Sequence, residues 1–421
     1  MTTVKYLHSA MTGAPTLGNS WGALTDLLDA VLVNGFNLKS VAGVTRDGDT
    51  VTVNFATAHG FVPEQIIQVA GCDQADYNGQ HRVIWTDTNS ARFKVTGTPA
   101  TPATGAAITC KAAPLGFEIG FTGMNKRAYR SPNLAGSRPF IRINDSLPPN
   151  AYDTSWAKFA RVSIASGMTD IDTYAPGAAI APYDPNVPDQ NELGNKVGGS
   201  GGVHGWWKWR YNWLGSGETQ GGSGNRSWDL VGDDRGFFIR INHAWGDYST
   251  FYAAGEFTSF KAGDPFNGFI IAHDWWHTAG SSHSYMNDFA RPNYSLDFQG
   301  KGIMRNWTGI GNYTKFGFCP LNVNNGYQYS GASGDIPFPN GPDASLVLHP
   351  CYMKEEFGSN LRGFMPGLFW AHAYRPYTHR QIIDSVTGNA GKKFVYLTMQ
   401  HGSEPGSTGG FAIDITGPWA R

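Results

Sequence analysis

Apolar and polar residues alternate in short runs along most of this chain, and Gly, Pro, Asn or Asp ends each run, the pattern of strands joined by tight turns. It is densest in residues 44–111, which read Asp49-Thr-Val-Thr-Val-Asn-Phe55, Ala58-His-Gly-Phe61, Gln65-Ile-Ile-Gln-Val-Ala70, Ala75-Asp-Tyr-Asn-Gly79, His81-Arg-Val-Ile-Trp85 and Arg92-Phe-Lys-Val-Thr96. A Pro- and Thr-rich tail, 98–105, closes the stretch. The same period returns at 158–165, 248–254, 268–272, 393–399 and 410–416. Two further runs, Pro139-Phe-Ile-Arg-Ile-Asn144 and Gly236-Phe-Phe-Ile-Arg-Ile-Asn242, are near copies and read as equivalent strands of two β halves. This spacing predicts a mainly β protein with a β-sandwich-like body. Residues 175–202 and 214–224, rich in Pro, Gly, Asn and Ser, read as long surface loops.

One segment departs from the period of two. Leu24, Leu27, Leu28, Val31 and Leu32 recur at helical spacing and form one apolar stripe, which predicts an amphipathic helix over 20–33. Ser20 is the expected cap, and Asn34-Gly35 the stop. The stripe, with Leu24, Leu27, Leu28 and Val31 as its contact residues, covers either the protein's own β body or a neighbouring subunit. Residues 1–19 are short of large apolar side chains, which fits an arm ordered by another chain. The expected organisation is therefore an anchoring arm and helix in 1–43, an inserted small β-domain in 44–112, and a β-rich body in 113–421. On this view a chain starting at Phe36 stays soluble but fails to assemble.

The order of the small domain (alternating strand, His-Gly, valine-rich strand, Tyr-Asn-Gly, strand, Phe-x-Val, Gly-rich tail) resembles a module common in bacteriophage tail and virion proteins. Around it stand Val4-Lys-Tyr-Leu-His-Ser-Ala-Met-Thr-Gly-Ala-Pro15, Ala128-Tyr-Arg-Ser-Pro132, Met168-Thr-Asp-Ile-Asp172, Trp228-Asp-Leu-Val-Gly-Asp-Asp-Arg235, Leu361-Arg-Gly-Phe-Met-Pro-Gly-Leu368 and Ile413-Asp-Ile-Thr-Gly-Pro-Trp419. Together, in this order, they are similar to a family of tailed-bacteriophage virion structural proteins. The resemblance implies a non-enzymatic subunit of the tail, neck or baseplate, assembled in the bacterial cytoplasm. It also implies other virion proteins, and further copies of itself, as partners.

Composition is compatible with that expectation. Charged residues make up 15% of the 421 residues, against about 25% in ordinary globular proteins. Gly (54) and aromatics (14%, including 14 Trp) are abundant, which excludes a disordered chain and suits a subunit packed into an assembly. A net charge of −1 argues against a nucleic-acid partner. No run approaches the about 18 apolar residues of a membrane span, so no membrane insertion is expected. The four cysteines, Cys72, Cys110, Cys319 and Cys351, are too sparse for a disulfide framework or zinc knuckle and are expected as free thiols.

Candidate chemistry is thin. His273-Asp-Trp-Trp-His277 has zinc-protease-like spacing, but its lead-in is strand-like and two Trp fill its centre, so packing is favoured over metal. The acid pairs Asp170/Asp172, Asp233/Asp234 and Glu355/Glu356 have the residue types of a glycosidase, but the structural reading is favoured, and Asp233-Asp-Arg235 reads as a turn with a local Asp–Arg pair. No cofactor is implied. His204-Gly-Trp-Trp-Lys-Trp-Arg-Tyr-Asn-Trp213 puts Trp207, Trp209, Tyr211 and Trp213 on one face of a strand. That face is a packed inner layer, a subunit interface, or a stacking surface for a host glycan. The last reading makes the chain a host-surface receptor binder, the alternative to a structural subunit; a glycan-degrading enzyme is the third. The repeat of an elongated β-helical fibre is absent from the sequence.

Overall fold

A computed structural model describes residues 3–147, 158–183, 205–209, 224–242, 249–274, 300–319, 338–371, 376–400 and 408–421. The fold is mainly β, with a large curled antiparallel sheet and one short helix. Among the described residues, thirteen strands form the curled sheet and seven form a second sheet packed on it.

The two near-copy runs occupy these two sheets. Phe140–Asn144 lies in the seven-stranded sheet and Gly236–Asn242 in the curled one. Each sends Ile-x-Ile to one shared core: Ile141 and Ile143 from the first strand, Ile239 and Ile241 from the second. Each sends its arginine, Arg142 or Arg240, to the opposite face, where both are buried. Period-two alternation therefore separates an apolar interface between the sheets from two buried arginines with ion-pair partners outside it. Arg142 pairs with Asp172, which also takes Lys126 at 2.7 Å. Asp170 and Asp172 stand at a tight turn in which Asp170 Oδ1 accepts the Asp172 amide at 2.8 Å.

The curled sheet folds its later strands back over its own outer face. Phe238, Phe251, Phe269 and Ile271 from its first half meet Met353, Leu368, Trp370, Leu397 and Phe411 from its second half in another core. Trp419, near the C-terminus, joins this core, with its indole N–H bonded to the Asp414 carbonyl at 2.8 Å.

The helix forms where the stripe predicted it, but its ends differ. The α-helix spans Ala23–Leu28 and widens into a π-turn over Asp29–Asn34, closed by the Gly35 amide on the Ala30 carbonyl at 2.8 Å. Gly35 has φ 73, which a side chain would resist. Ser20 is not the cap. Asp145, arriving from the end of Phe140–Asn144, accepts the Leu24 amide at 2.9 Å through Oδ2.

The expectation of a docking arm and helix is corrected by their burial. Leu24, Leu27, Leu28, Val31 and Leu32 are fully buried, packed in the same core as Trp207, Trp228 and Phe237 of the protein's own sheets. The arm is part of the body as well: Lys5–His8 pairs with Trp228–Gly232 as a terminal strand of the curled sheet. Two indoles hold the segment between that strand and the helix, Trp228 on the Pro15 carbonyl and Trp209 on the Gly18 carbonyl, each at 3.0 Å. Backbone pairing and indole hydrogen bonds supply what the arm's small side chains lack. A chain starting at Phe36 would lose a sheet strand and the helix, so this fold gives no support to a soluble truncation.

Residues 36–112 form two four-stranded sheets whose strands pair only with one another. One contains Phe36–Ser40, Thr109–Ala112, Ile66–Ala70 and Gly79–Arg82; the other contains Gly43–Asp47, Thr50–Asn54, Ser90–Lys94 and Trp85–Thr86. Between them lies a separate core that includes Val44, Val51, Val53, Ile67, Tyr77, Phe93 and Cys110. The first strand begins at Phe36, eight residues before the alternating pattern becomes clear. Cys72 and Cys110 both lie in this core as free thiols, and Cys319 and Cys351 are free too.

Candidate functional site

A dense cluster of buried charge lies where the two sides of the curled sheet approach each other. Asp229 is its centre, fully buried on Trp228–Gly232. Its Oδ1 accepts Arg380 Nε at 2.6 Å and the Tyr6 hydroxyl at 3.1 Å, while Oδ2 faces His379 Nε2 at 3.1 Å and Arg240 Nη1 at 3.6 Å. Arg240 Nε donates to the Thr398 carbonyl at 2.8 Å, and Arg380 Nη2 reaches Ser9 Oγ at 3.3 Å and the Trp228 carbonyl at 3.2 Å. Lys5–His8 is one edge strand of the sheet, and Gln381–Ile383, just after Arg380, is the other. Side-chain hydrogen bonds thus link the two sides of the sheet, whose edge strands do not pair with each other among the described residues.

The electrostatics reflect burial and neighbours. Burial alone would raise the Asp229 carboxyl, but His379, Arg240 and Arg380 together hold it well below the usual carboxylate range. Burial, aided by the Arg380 charge, pushes the His8 imidazole down to about 4, so it stays neutral beside the cluster at neutral pH. A histidine on a buried aspartate has the form of a catalytic dyad. In this cluster Asp229 is shared with two guanidiniums, and Arg240 Nη1 also lies 3.3 Å from His379 Nε2. The nearby Ser9 Oγ is occupied by the Trp228 amide at 3.1 Å and by Arg380.

A second cluster lies around the Asp233 turn. Asp233 Oδ1 accepts the Arg235 and Gly236 amides at 2.9 and 3.1 Å and pairs with Arg421 at 2.7 Å, whereas Arg235 pairs with buried Glu256. The local Asp–Arg pair expected from sequence is therefore replaced by one with the C-terminal residue. Lys5 is buried nearby and bonds to the Leu115 carbonyl at 3.2 Å; burial pushes its amine down to about 8 against the pull of Asp234 and Asp233. The third acid pair is split: Glu355 is buried against Arg362 at 3.3 Å, and Glu356 is half-buried.

Of the three readings of the aromatic face, burial of Trp207 and Trp209 fits the packed inner layer and not the subunit interface or the glycan surface. Gly205–Trp209 is flanked by Lys158–Ala165 on one side and His273–Asp274 on the other, so it is an inner strand. Trp207 stacks on Tyr252 at 5.8 Å, donates to the Ile271 carbonyl at 3.0 Å, and shares the inter-sheet core with Trp209. On the opposite face Trp206 stacks on Phe159 at 4.8 Å. Neither Trp207 nor Trp209 offers a surface to a sugar or a subunit. Tyr211 and Trp213 lie outside the described residues, as do residues 275–277 of the histidine motif. Among the described residues no three His, Cys, Asp or Glu side chains converge as a metal site, and no helix is long and apolar enough to cross a membrane.

In the small domain, residues that carry the resemblance act as internal locks. Buried His59 faces the Asp87 and Ser90 carbonyls through Nε2 at 2.9 and 3.1 Å, and its Nδ1 accepts the Phe61 amide at 2.9 Å. Asn78 accepts the Cys72 amide at 3.0 Å and donates to the Cys72 carbonyl at 2.7 Å, and the Tyr77 hydroxyl donates to the Ala100 carbonyl at 3.0 Å. The domain joins the body through paired ends: Phe36 is opposite Ala112, and the Leu115 amide returns to the Val31 carbonyl at 2.9 Å. Across the junction, Glu64 meets Lys393 at 2.6 Å and Arg82 Nη2 meets the Ile415 carbonyl at 2.6 Å.

No protein-family model matches this chain, and no curated protein matches it.

Proposed function

We propose that this chain is a structural component of a tailed-bacteriophage virion, associated with the tail, neck or baseplate, present in symmetric copies and acting by packing rather than catalysis. The observation that carries the reading is the small domain of 36–112. Its sequence order resembles the phage module, its His-Gly and Tyr-Asn-Gly residues serve as turn locks, and its two ends leave the body as one strand pair. Such a domain extends from a continuous body at little loop-closure cost. The low charge and high aromatic content of the chain agree with life in an assembly.

The test is the protein content of purified particles of the virus that encodes the chain. The proposal expects the intact chain at a fixed multiple of known tail proteins, resistant to salt washes. A chain found only in the infected-cell lysate would overturn it.

A further inference from the structure

Three connections of the curled sheet come together at one end: residues 257–267, 304–313 and 356–360, each joining two antiparallel strands of the sheet. A buried ion hub ties two of them together. Arg362 pairs with Asp264 at 2.6 Å and with Glu355 at 3.3 Å, and Ser259 Oγ donates to Asp264 at 2.7 Å. The third is tied by Lys261, whose Nζ donates to the Trp307 carbonyl at 2.9 Å.

The surface of this framework is apolar. Phe260 is 54% exposed, Trp307 52%, Ile310 74%, Phe357 75% and Leu361 51%. Soluble monomers rarely hold so many large apolar side chains together in water without a use for them. The loops also carry cations: Lys261 is exposed and Lys354 half-buried, against Glu356 as the one acid of these loops not taken by Arg362.

We infer that this end is a docking surface for an anionic lipid bilayer, engaged from outside with nothing crossing it. Aliphatic and aromatic side chains projecting from separate loop tips suit the irregular headgroup boundary, where each leaves water without needing a shaped pocket. The lysines lie where lipid phosphates would be. Stacking on a sugar would use flat rings and polar neighbours, and Ile310 and Leu361 supply neither. A second copy docked face to face would set the lysines of the two copies against each other. The buried hub fixes the loops beforehand, so little order is lost on docking.

The experiment uses the full-length chain and vesicles of equal parts phosphatidylglycerol and phosphatidylethanolamine, with pure phosphatidylcholine vesicles as the comparison. Sedimentation should show binding to the anionic vesicles and much weaker binding to the neutral ones. The double variant Trp307→Ser/Phe357→Ser should lose at least about tenfold in partitioning, as expected when two large side chains no longer leave water. Lys261→Gln and Lys354→Gln should each cost about fivefold at low salt. The control Leu38→Ser/Met124→Ser removes exposed apolar residues elsewhere and should bind like the parent. Absence of vesicle binding by the folded parent would overturn the inference. So would equal loss in the control, or self-association that depends on Trp307 and Phe357 without vesicles.

Discussion

Arg380 and Asp229 are 151 residues apart in sequence and 2.6 Å apart in the fold, where their ion pair ties the strand next to one edge of the curled sheet to the start of the edge strand at its other side. Asp229 is fully buried, and Arg240, also buried, lies 3.6 Å from it. Breaking such a pair from one side leaves an uncompensated charge in the interior.

Asp229→Ala should therefore destabilise the protein by about 3–5 kcal/mol, measured by urea unfolding of the full chain. The depressed carboxyl also sets a pH dependence. Its stabilisation is complete above the ordinary carboxylate range and is lost only as pH falls through that range toward the lower folded value. Asp229→Asn should flatten the acid limb of the stability profile. An unchanged acid limb would show that the pair does not hold the seam.

Asp145 has the opposite sign. Burial pushes its carboxyl up to about 8, against the hydrogen bonds it accepts at the start of the helix. The folded chain then retains a proton that the unfolded chain releases near pH 4, so this residue lowers stability progressively from about pH 4 to about pH 8. Asp145→Asn keeps an acceptor for the Leu24 amide and removes the charge. It should gain at least about 1 kcal/mol at pH 8.5 and nothing at pH 4, as read by thermal melts at both values.

Deleting residues 1–35 should prevent folding of the body, because it removes a sheet strand and the helix that fills the inter-sheet core. Replacing 37–111 with a short Gly-Ser link should instead leave the body folded, since Phe36 and Ala112 are already adjacent. Circular dichroism and melting of the two deletions distinguish these outcomes. A folded 36–421 fragment would reverse the first.

The isolated domain 36–113 should melt cooperatively as a β-protein. It keeps its own core and loses only junction contacts such as Glu64–Lys393 and Arg82 on the Ile415 carbonyl. A non-cooperative product would mean that the body holds it together.

Features that depend on period could be read from sequence. The Leu24 to Leu32 stripe gave a helix, and alternation gave the sheets and the equivalence of the Phe-Ile-Arg-Ile-Asn strands. Period does not say what covers a face. Alternation left the Trp207 and Trp209 face open to an inner layer, a subunit or a glycan alike, and the strand is an inner one with Trp206 packed on the reverse side. The stripe was open to a neighbour for the same reason, whereas the body's own Trp228 and Phe237 pack in the core it fills. Partnerships over long separations left no local signal. Asp145 caps a helix that starts 122 residues earlier, and Asp229 draws partners from positions 6, 240, 379 and 380. The available hint was a charged residue inside an apolar strand, Asp229 in Trp-Asp-Leu-Val and Arg240 in Phe-Ile-Arg-Ile.

A density map of the intact particle is the sharpest test of a virion structural role for this chain. The curled sheet, its packed partner sheet and the 36–112 domain should fit as one unit repeated by symmetry in the tail, neck or baseplate. A map in which every repeated density is filled by other chains, with none matching this fold, would refute that role.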